Sequence, residues 1–579
     1  MTGVLRVANC SGFYGDRLSA MREMIEGGDI DVVTGDYLAE LTMLILGRDV
    51  LKDPSLGYAR TFVKQVEDCL GLALEKGVKI VSNAGGLNPS GLADRLREVA
   101  TGLGLEARIA HVEGDNLVDR VEELGLVGER GKPLTANAYL GGFGIAAALD
   151  AGADIVVTGR VTDASVVVGP AISHFGWTPE QYDALAGAVV AGHVIECGTQ
   201  ATGGNFSGFR SLKHTGTPFG FPIAEITADG ACVITKHEGT GGAVTVDTVT
   251  AQLVYEIQTN RYLGPDVTVD LTSIALEQED TDRVRISGVR GEAPPSQLKV
   301  CVNELGGFRN SVEFVLTGLD IEAKADWVRE QVESAFGDRR PAQVHWSPVG
   351  HVPTDASTEE AASVLLRCSV FDASPEVVGK AFTAPVIELA LGSYPGFNVT
   401  RPPAPATPYG IYRPAYVDRG AVTHTVVLPD GTSQVIADPP VSDATPAPGT
   451  GQRPSPYPAP TDTLTRRLPL GTFVHARSGD KGGDANLGLW VANDGSPKYA
   501  DRVTWLTKFI STRRVRELVP EAADLEVEVY VLPNLGGVNV LIRGLLGEGV
   551  ATSARFDPQA KALGEWVRSR MVNIEESVL

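Results

Sequence analysis

Through its first 260 residues the chain repeats one phrase: a short apolar run rich in Val and Ile ends in small polar residues, and a longer stretch with helical periodicity follows. The runs lie at 4–8, 31–34, 78–82, 107–112 and 154–158. Short apolar runs bounded by turn residues predict buried strands. Helical periodicity follows near 16–27, 37–47, 57–76, 91–103, 116–124, 138–151 and 179–196. Strands that alternate with helices predict parallel pairing, because a parallel crossover needs a long connection. Residues 1–264 are therefore expected to form an α/β ligand-binding domain, a mostly parallel sheet flanked by helices. Two strand endings, Val32-Val33-Thr34-Gly35-Asp36 and Val156-Val157-Thr158-Gly159-Arg160, predict similar turns. No fixed period recurs, so the chain is not a repeat array.

Beyond 264 the texture changes. Runs at 267–274, 284–289, 298–302, 312–316 and 364–371 predict strands, with a helix at 324–336 between them. Residues 265–400 thus read as a mixed α+β region completing the large domain. Residues 401–467 are rich in proline, which lacks a ladder donor and breaks helices, so this span is expected to be a linker. In 468–579, strands at 469–475, 486–492, 525–532 and 538–543 and helices at 500–518 and 557–572 predict a small ferredoxin-like α/β sandwich.

Composition narrows the function. At 579 residues the chain is too long for one core. With 50 basic against 72 acidic residues its net charge is −22, which excludes a general nucleic-acid binder but allows a local basic pocket for a small anionic partner. Cys10, Cys69, Cys197, Cys232, Cys301 and Cys368 form no C-x-x-C pair, so neither a disulfide framework nor a zinc site is indicated. No ligand cluster has a spacing diagnostic of a metal. No run approaches the roughly 18 apolar residues of a membrane helix, and the start lacks a signal pattern. A cytoplasmic homo-oligomer with no membrane or nucleic-acid partner is expected.

Candidate chemistry sits where strands end, since loop N–H groups and helix N-termini converge there in parallel sheets. Those loops carry Asn9-Cys10-Ser11-Gly12, Gly35-Asp36-Tyr37, Asn83-Ala84-Gly85-Gly86, Gly114-Asp115-Asn116 and Gly159-Arg160-Val161-Thr162-Asp163. Taken singly, each loop also suits plain turn and cap chemistry. Arg160 does not: a long cation directly after a core strand suits a carboxylate or phosphate. Farther on, His193 and Glu196 are three apart near a helix end and can share one face. They could form an acid/base couple, contribute metal ligands, or place a histidine favourably at a helix C-terminus.

Two glycine-rich blocks follow. Thr199, Gly203, Gly204 and Asn205 belong to the first, and Gly241 to the second, Glu238-Gly239-Thr240-Gly241-Gly242. Glycines before a helix let N–H groups cradle an anion. Neither block is a P-loop, and the first strand-to-helix turn lacks G-x-G-x-x-G, which counts against a nicotinamide-dependent oxidoreductase. In the last domain, a polar loop between two strands runs from His475 to Asn486, where Arg477, Ser478, Lys481 and Asn486 could grip a phosphate or carboxylate. The loop from Pro533 to Asn539 is expected beside it.

Five segments in order, GDYLAELTM (35–43), NAGGLNP (83–89), TGRVTDAS (158–165), GHVIECGTQATGGNF (192–206) and RSGDKGGDANLG (477–488), resemble the acyclic terpene utilization (AtuA-like) family. The resemblance covers a large N-terminal family domain over about 4–450 and a small C-terminal one over about 468–570. It implies a place in the breakdown of citronellol-like terpenoids, branched acyl-CoAs or leucine, beside acyl-CoA carboxylases and enoyl-CoA hydratases. It supplies motif positions rather than catalytic roles.

These readings lead to an enzyme, catabolic or biosynthetic, that acts on an acyl-CoA or branched carboxylic substrate by hydratase, lyase or hydrolase chemistry. His193 and Glu196 are the expected acid and base, with Asp36, Asp115 and Asp163 behind them. Arg160 is expected to hold the substrate's anion, helped by Asn83, and N–H groups near Gly85-Gly86 or Gly203-Gly204 are expected to stabilise an oxyanion. No cofactor is indicated beyond a CoA thioester as a substrate moiety. The alternative is a non-catalytic accessory or scaffold subunit of an acyl-CoA carboxylase.

Overall fold

The computed structural model describes residues 3–212, 216–442 and 464–579. The Val- and Ile-rich runs form strands Leu5–Asn9, Val32–Gly35, Lys79–Ser82, Ile155–Thr158 and Ile109–Glu113, each parallel to its neighbour in that spatial order. Alternate residues face two cores. Val32, Val81 and Val156 pack with helices Phe143–Asp150, Ser165–Phe175 and Tyr182–Ile195. Val33, Ile80 and Val157 pack with Ala20–Gly27, Arg60–Lys76 and Pro89–Gly102. Both faces are covered, which is why these strands read as unbroken apolar runs.

The sheet as a whole is mixed, which corrects the expectation of a mostly parallel one. Pro222–Ile226, Cys232–Lys236, Arg283–Ser287 and Ala275–Asp280 extend one edge, and Thr425–Val427 with Ser433–Val435 the other. All six join antiparallel, giving eleven strands. Pairs such as Pro222–Ile226 and Cys232–Lys236 are hairpins with short turns, which leave no room for a crossover. The helix expected at 116–124 is a single 3-10 turn, Val118–Arg120. There the Asn116 side chain takes the Val118 N–H, and the Leu117 N–H bonds Ala136 instead of continuing a helix.

A second sheet is built on Gln297–Thr317, one strand of 21 residues where two were expected. Its first half pairs with Thr407–Asp418 on one side and Thr135–Ala138 on the other; its second half pairs with Ser363–Asp372 and Asn398–Val399. Residues 401–442 are therefore not a linker. Thr407–Asp418 pairs only with the long strand, and such an edge position tolerates Pro408 and Pro414. Of the expected linker, 443–463 lie outside the described residues, and 464–467 lead into strand Thr465–Pro469.

In the last domain Val474–Lys481, Asp484–Val491, Gly537–Ile542 and Val527–Leu532 form an antiparallel four-stranded sheet in that order. It packs through Leu487, Leu489, Val538 and Val540 on Trp505, Leu506 and Phe509. The helix expected at 500–518 breaks into Tyr499–Phe509 and Thr512–Leu518, because Ser511 caps the second by accepting the Arg514 N–H. The one expected at 557–572 shortens to Leu563–Ser569.

This domain docks on the large one. Trp490 Nε1 donates to Asp247 at 3.0 Å, Asn486 Oδ1 accepts the Glu256 N–H at 2.8 Å, and Asn539 Nδ2 donates to the Gln258 carbonyl at 3.0 Å. The stretch from His475 to Asn486, expected as a loop, is a hairpin: Val474–Lys481 pairs with Asp484–Val491 around Gly482-Gly483. Docking carries the tip of this hairpin over the carboxyl ends of the parallel strands.

Candidate functional site

The three structural units enclose a cavity of about 1460 Å³. The parallel strands contribute Asp36, Arg160 and Asp163; the segment after helix Tyr182–Ile195 contributes Glu196, Cys197, Thr199, Gly204 and Asn205; the hairpin contributes Asp480 and Lys481. Among the lining residues that were not anticipated are Glu40, Tyr139, Tyr255, Glu256, Lys299 and Tyr412.

Arg160 is the anchor of the deep wall and is only 2% exposed. Its guanidinium stacks 4.3 Å from the Tyr139 ring centre, and both of its hydrogen bonds leave from Nη1, to Asp163 at 2.8 Å and the Leu38 carbonyl at 3.1 Å. Nε has no partner among the described residues. Burial works against the cation, but Asp163 first, and Glu40 after it, hold it charged. Asp115 sits behind, accepting the Arg160 N–H at 2.8 Å and the Asn137 amide at 2.7 Å. It does not line the cavity, and burial raises its carboxyl to about 6. Its part is to shape the Arg160 turn, not to meet a ligand.

Two carboxyls on this wall are pushed toward the protonated form. Asp36 is raised well above its ordinary value by burial and then by Asp163, against the pull of Arg160. It accepts hydrogen bonds from Asn83 Nδ2 at 2.5 Å and the Leu38 N–H at 3.1 Å. Glu196 is raised by burial, Asp163 and Glu256, and its Oε2 has no partner among the described residues. Its Oε1 lies 3.3 Å from His193 Nδ1. His193 itself does not reach the cavity; burial, reinforced by Lys481, lowers it to about 4, so the ring is neutral. The pair is thus a carboxyl pushed toward its acid form and backed by a neutral imidazole. Asn9 fixes its place by donating to the Glu196 carbonyl at 3.3 Å.

Opposite stands a cluster drawn from the second sheet and the hairpin. Lys299 Nζ lies 4.8 Å from the Tyr139 ring centre and 5.7 Å from that of Tyr412. Burial would raise the Glu40 carboxyl, but Lys299, Arg160 and Lys481 bring it down to about 2; it accepts the Tyr139 hydroxyl at 3.2 Å. Burial opposes charge on Lys481, yet Glu256 and Glu40 hold it above its ordinary value. Asp480 is pushed up to about 7 by burial and Glu256.

Other expected contacts are structural. Asn83 lies beneath Asp36 and also accepts the Tyr37 N–H. The oxyanion role expected of the glycines is corrected: the N–H groups of Gly86, Gly203 and Gly204 bond Asn83, Gln200 and Thr199 within their own turns. Gly85 is a packing glycine, for a Cβ there would come within 2.5 Å of the Thr158 carbonyl oxygen. Gly241 bonds Pro218 away from the cavity. Arg477 lies over the Tyr255 ring at 4.2 Å and bonds the Asn205 carbonyl and Gln200, so it supports the wall from behind. Ser478 accepts the Gly564 N–H at 2.8 Å, and Asn486 donates to Asn539 on the neighbouring strand of the same domain. Among the described residues no group of three or more His, Cys, Asp or Glu side chains is placed to hold a metal ion, and no helix is long and apolar enough to cross a membrane.

A sequence model described as the acyclic terpene utilisation family protein AtuA matches residues 5–428, and one described as the AtuA ferredoxin-like domain matches 468–573. No curated protein matches the chain.

Proposed function

The chain belongs to the acyclic terpene utilisation family, and from that premise we propose that it is an enzyme performing acid/base chemistry on an acyl-CoA or related branched carboxylic substrate in this cavity. One observation carries the reading. A buried arginine shares a wall with carboxyls that burial pushes toward the protonated form. Hydratase and lyase chemistry asks for these two elements, a positive group where charge develops and a neutral acid that can release a proton there.

In this reading the Arg160 guanidinium receives the carboxylate or the developing enolate oxygen, with Lys481 supplying a second charge. Glu196 is the acid, and His193 holds its carboxyl in place from behind. A volume of about 1460 Å³ exceeds the roughly 300–1,000 Å³ usual for small-molecule pockets and suits a bulky thioester. The arginines of the rim, Arg130, Arg413 and Arg543, are tied to Glu548, Glu304 and Asp484. Only the Arg130–Glu548 pair is exposed on both sides, at 41% and 46%; such a pair is worth only about 0–1 kcal/mol, so an incoming phosphate could recruit Arg130 at little cost.

Thermal unfolding against CoA, straight and branched acyl-CoAs and free branched acids tests the proposal. A ligand at about 100 times its dissociation constant should add about 2.7 kcal/mol of apparent stability. No stabilisation by any member of the panel would overturn the reading and favour an accessory subunit.

A further inference from the structure

We propose that Lys299 is a second reactive group of the cavity, an amine that captures a carbonyl carbon of the substrate as an imine, which makes the substrate an oxo acid or its thioester. The proposal rests on the foregoing reading for where the substrate lies, but not on the roles of Glu196 or Arg160.

The geometry differs from that of the other cavity lysines. Lys561 donates to the Tyr255 hydroxyl and lies over that ring at 4.8 Å, so its nitrogen is occupied. Lys481 is kept charged by Glu256 and Glu40. Among the described residues Lys299 has no hydrogen bond or ion pair at Nζ; it rests on the faces of Tyr139 and Tyr412 and borders the open cavity. Its backbone is fixed on both sides: it pairs with Tyr416 across the sheet, and its carbonyl accepts the Tyr139 N–H at 2.9 Å. The amine is thus presented from a rigid strand.

Its electrostatic setting favours the reactive form. Burial and then Lys481 lower the Lys299 amine, with Arg160 adding to the effect. Glu40 opposes them, but that carboxylate is shared with Arg160 and Lys481 and already accepts the Tyr139 hydroxyl. A lysine beside another cation in a water-poor site is a recognised way to raise the share of free amine. Tyr412 completes the group, since its buried hydroxyl has no partner among the described residues.

The step balances without an outside oxidant or reductant. The nitrogen lone pair forms the C–N bond while the carbonyl π pair moves to oxygen. That oxygen takes one proton from the nitrogen and one from the medium through the Tyr412 hydroxyl, and leaves as water. The nitrogen keeps one proton, and the iminium carries the positive charge.

Borohydride trapping of the full-length protein with pyruvate, acetoacetate or 2-oxoisovalerate at pH 7.5 tests this. At least one acid should give saturable labelling at Lys299. Trypsin would then fail to cut there, leaving residues 291–309 as one peptide. Lys299→Arg should label at least about tenfold less while unfolding within a few degrees of the wild type, and Lys299→Gln serves if that variant does not fold. Lys481→Met should move the pH profile of labelling to higher pH. No labelling by any of the three acids, or labelling undiminished in Lys299→Arg, would overturn the proposal. Failure here while the thioester panel still stabilises the protein would remove the imine alone; failure of both would remove the acid/base reading too.

Discussion

Replacing Arg160 with methionine keeps the aliphatic bulk and removes the guanidinium. Three contacts disappear: the charged hydrogen bond to Asp163, the bond to the Leu38 carbonyl, and the stack on Tyr139. Asp163 retains 26% exposure and can hydrate, and the cost of burying the guanidinium is removed at the same time, so the stability loss should stay near about 1–3 kcal/mol. Ligand binding should suffer more. A carboxylate seated on the guanidinium makes two charge-assisted bonds of about 1.5–3 kcal/mol each. Losing both costs about 3–6 kcal/mol, a fall in affinity of about 10²- to 10⁴-fold. A ligand at about 100 times its dissociation constant stabilises the wild type by about 2.7 kcal/mol; at that same concentration it should stabilise Arg160→Met by less than about 0.5 kcal/mol. The assay is thermal unfolding of both proteins across one titration of the tightest panel ligand. Equal stabilisation in a folded variant would refute the role given to Arg160.

Glu196→Gln keeps the size and neutrality of the side chain but removes its acidic proton, so affinity for that ligand should change less than about threefold while turnover falls by about 10²- to 10⁴-fold; a stopped assay with mass detection checks both. Asp115→Asn should alter the pH dependence of stability. The folded carboxyl, at about 6 against an ordinary 3.8, holds its proton more tightly than the unfolded one, so its contribution is fully present below about pH 4 and lost as the pH rises through 6. At about 1.4 kcal/mol per unit this is about 3 kcal/mol, and urea unfolding from pH 4 to 7.5 should show wild type losing that much relative to the variant; parallel profiles would contradict the assignment. Gly488→Ala would put a methyl 2.3 Å from Val254 Cγ2 on the domain seam, and calorimetry should show a loss of about 1–3 kcal/mol.

The strands that carry Asp36 and Arg160 were legible because burial on both faces makes them short apolar runs ending in polar turns. The proximity of His193 and Glu196 was legible too, since three residues is close to one helical turn. Which of the two meets the cavity was not, because that depends on what packs against the helix. Lys299 and Tyr412 were invisible as site residues: they meet across a sheet whose strands lie more than 100 residues apart, and one of those strands contains prolines that normally mark a linker. The glycines misled for a related reason. A sequence shows that a turn is present but not that its N–H groups are consumed within it, as those of Gly86, Gly203 and Gly204 are. Lys481 was identified, and the hairpin that bears it reads as a loop because its strands carry so many polar residues.

The central claim is that residues from the two sheets and the last domain meet around one ligand. Amide hydrogen exchange with and without the tightest panel ligand tests it most directly. The account predicts simultaneous protection of the segments holding Asp36 to Glu40, Arg160 to Asp163, Glu196 to Asn205, Lys299, Tyr412 and Lys481. Protection confined to one of these units, or lying outside all of them, would contradict it.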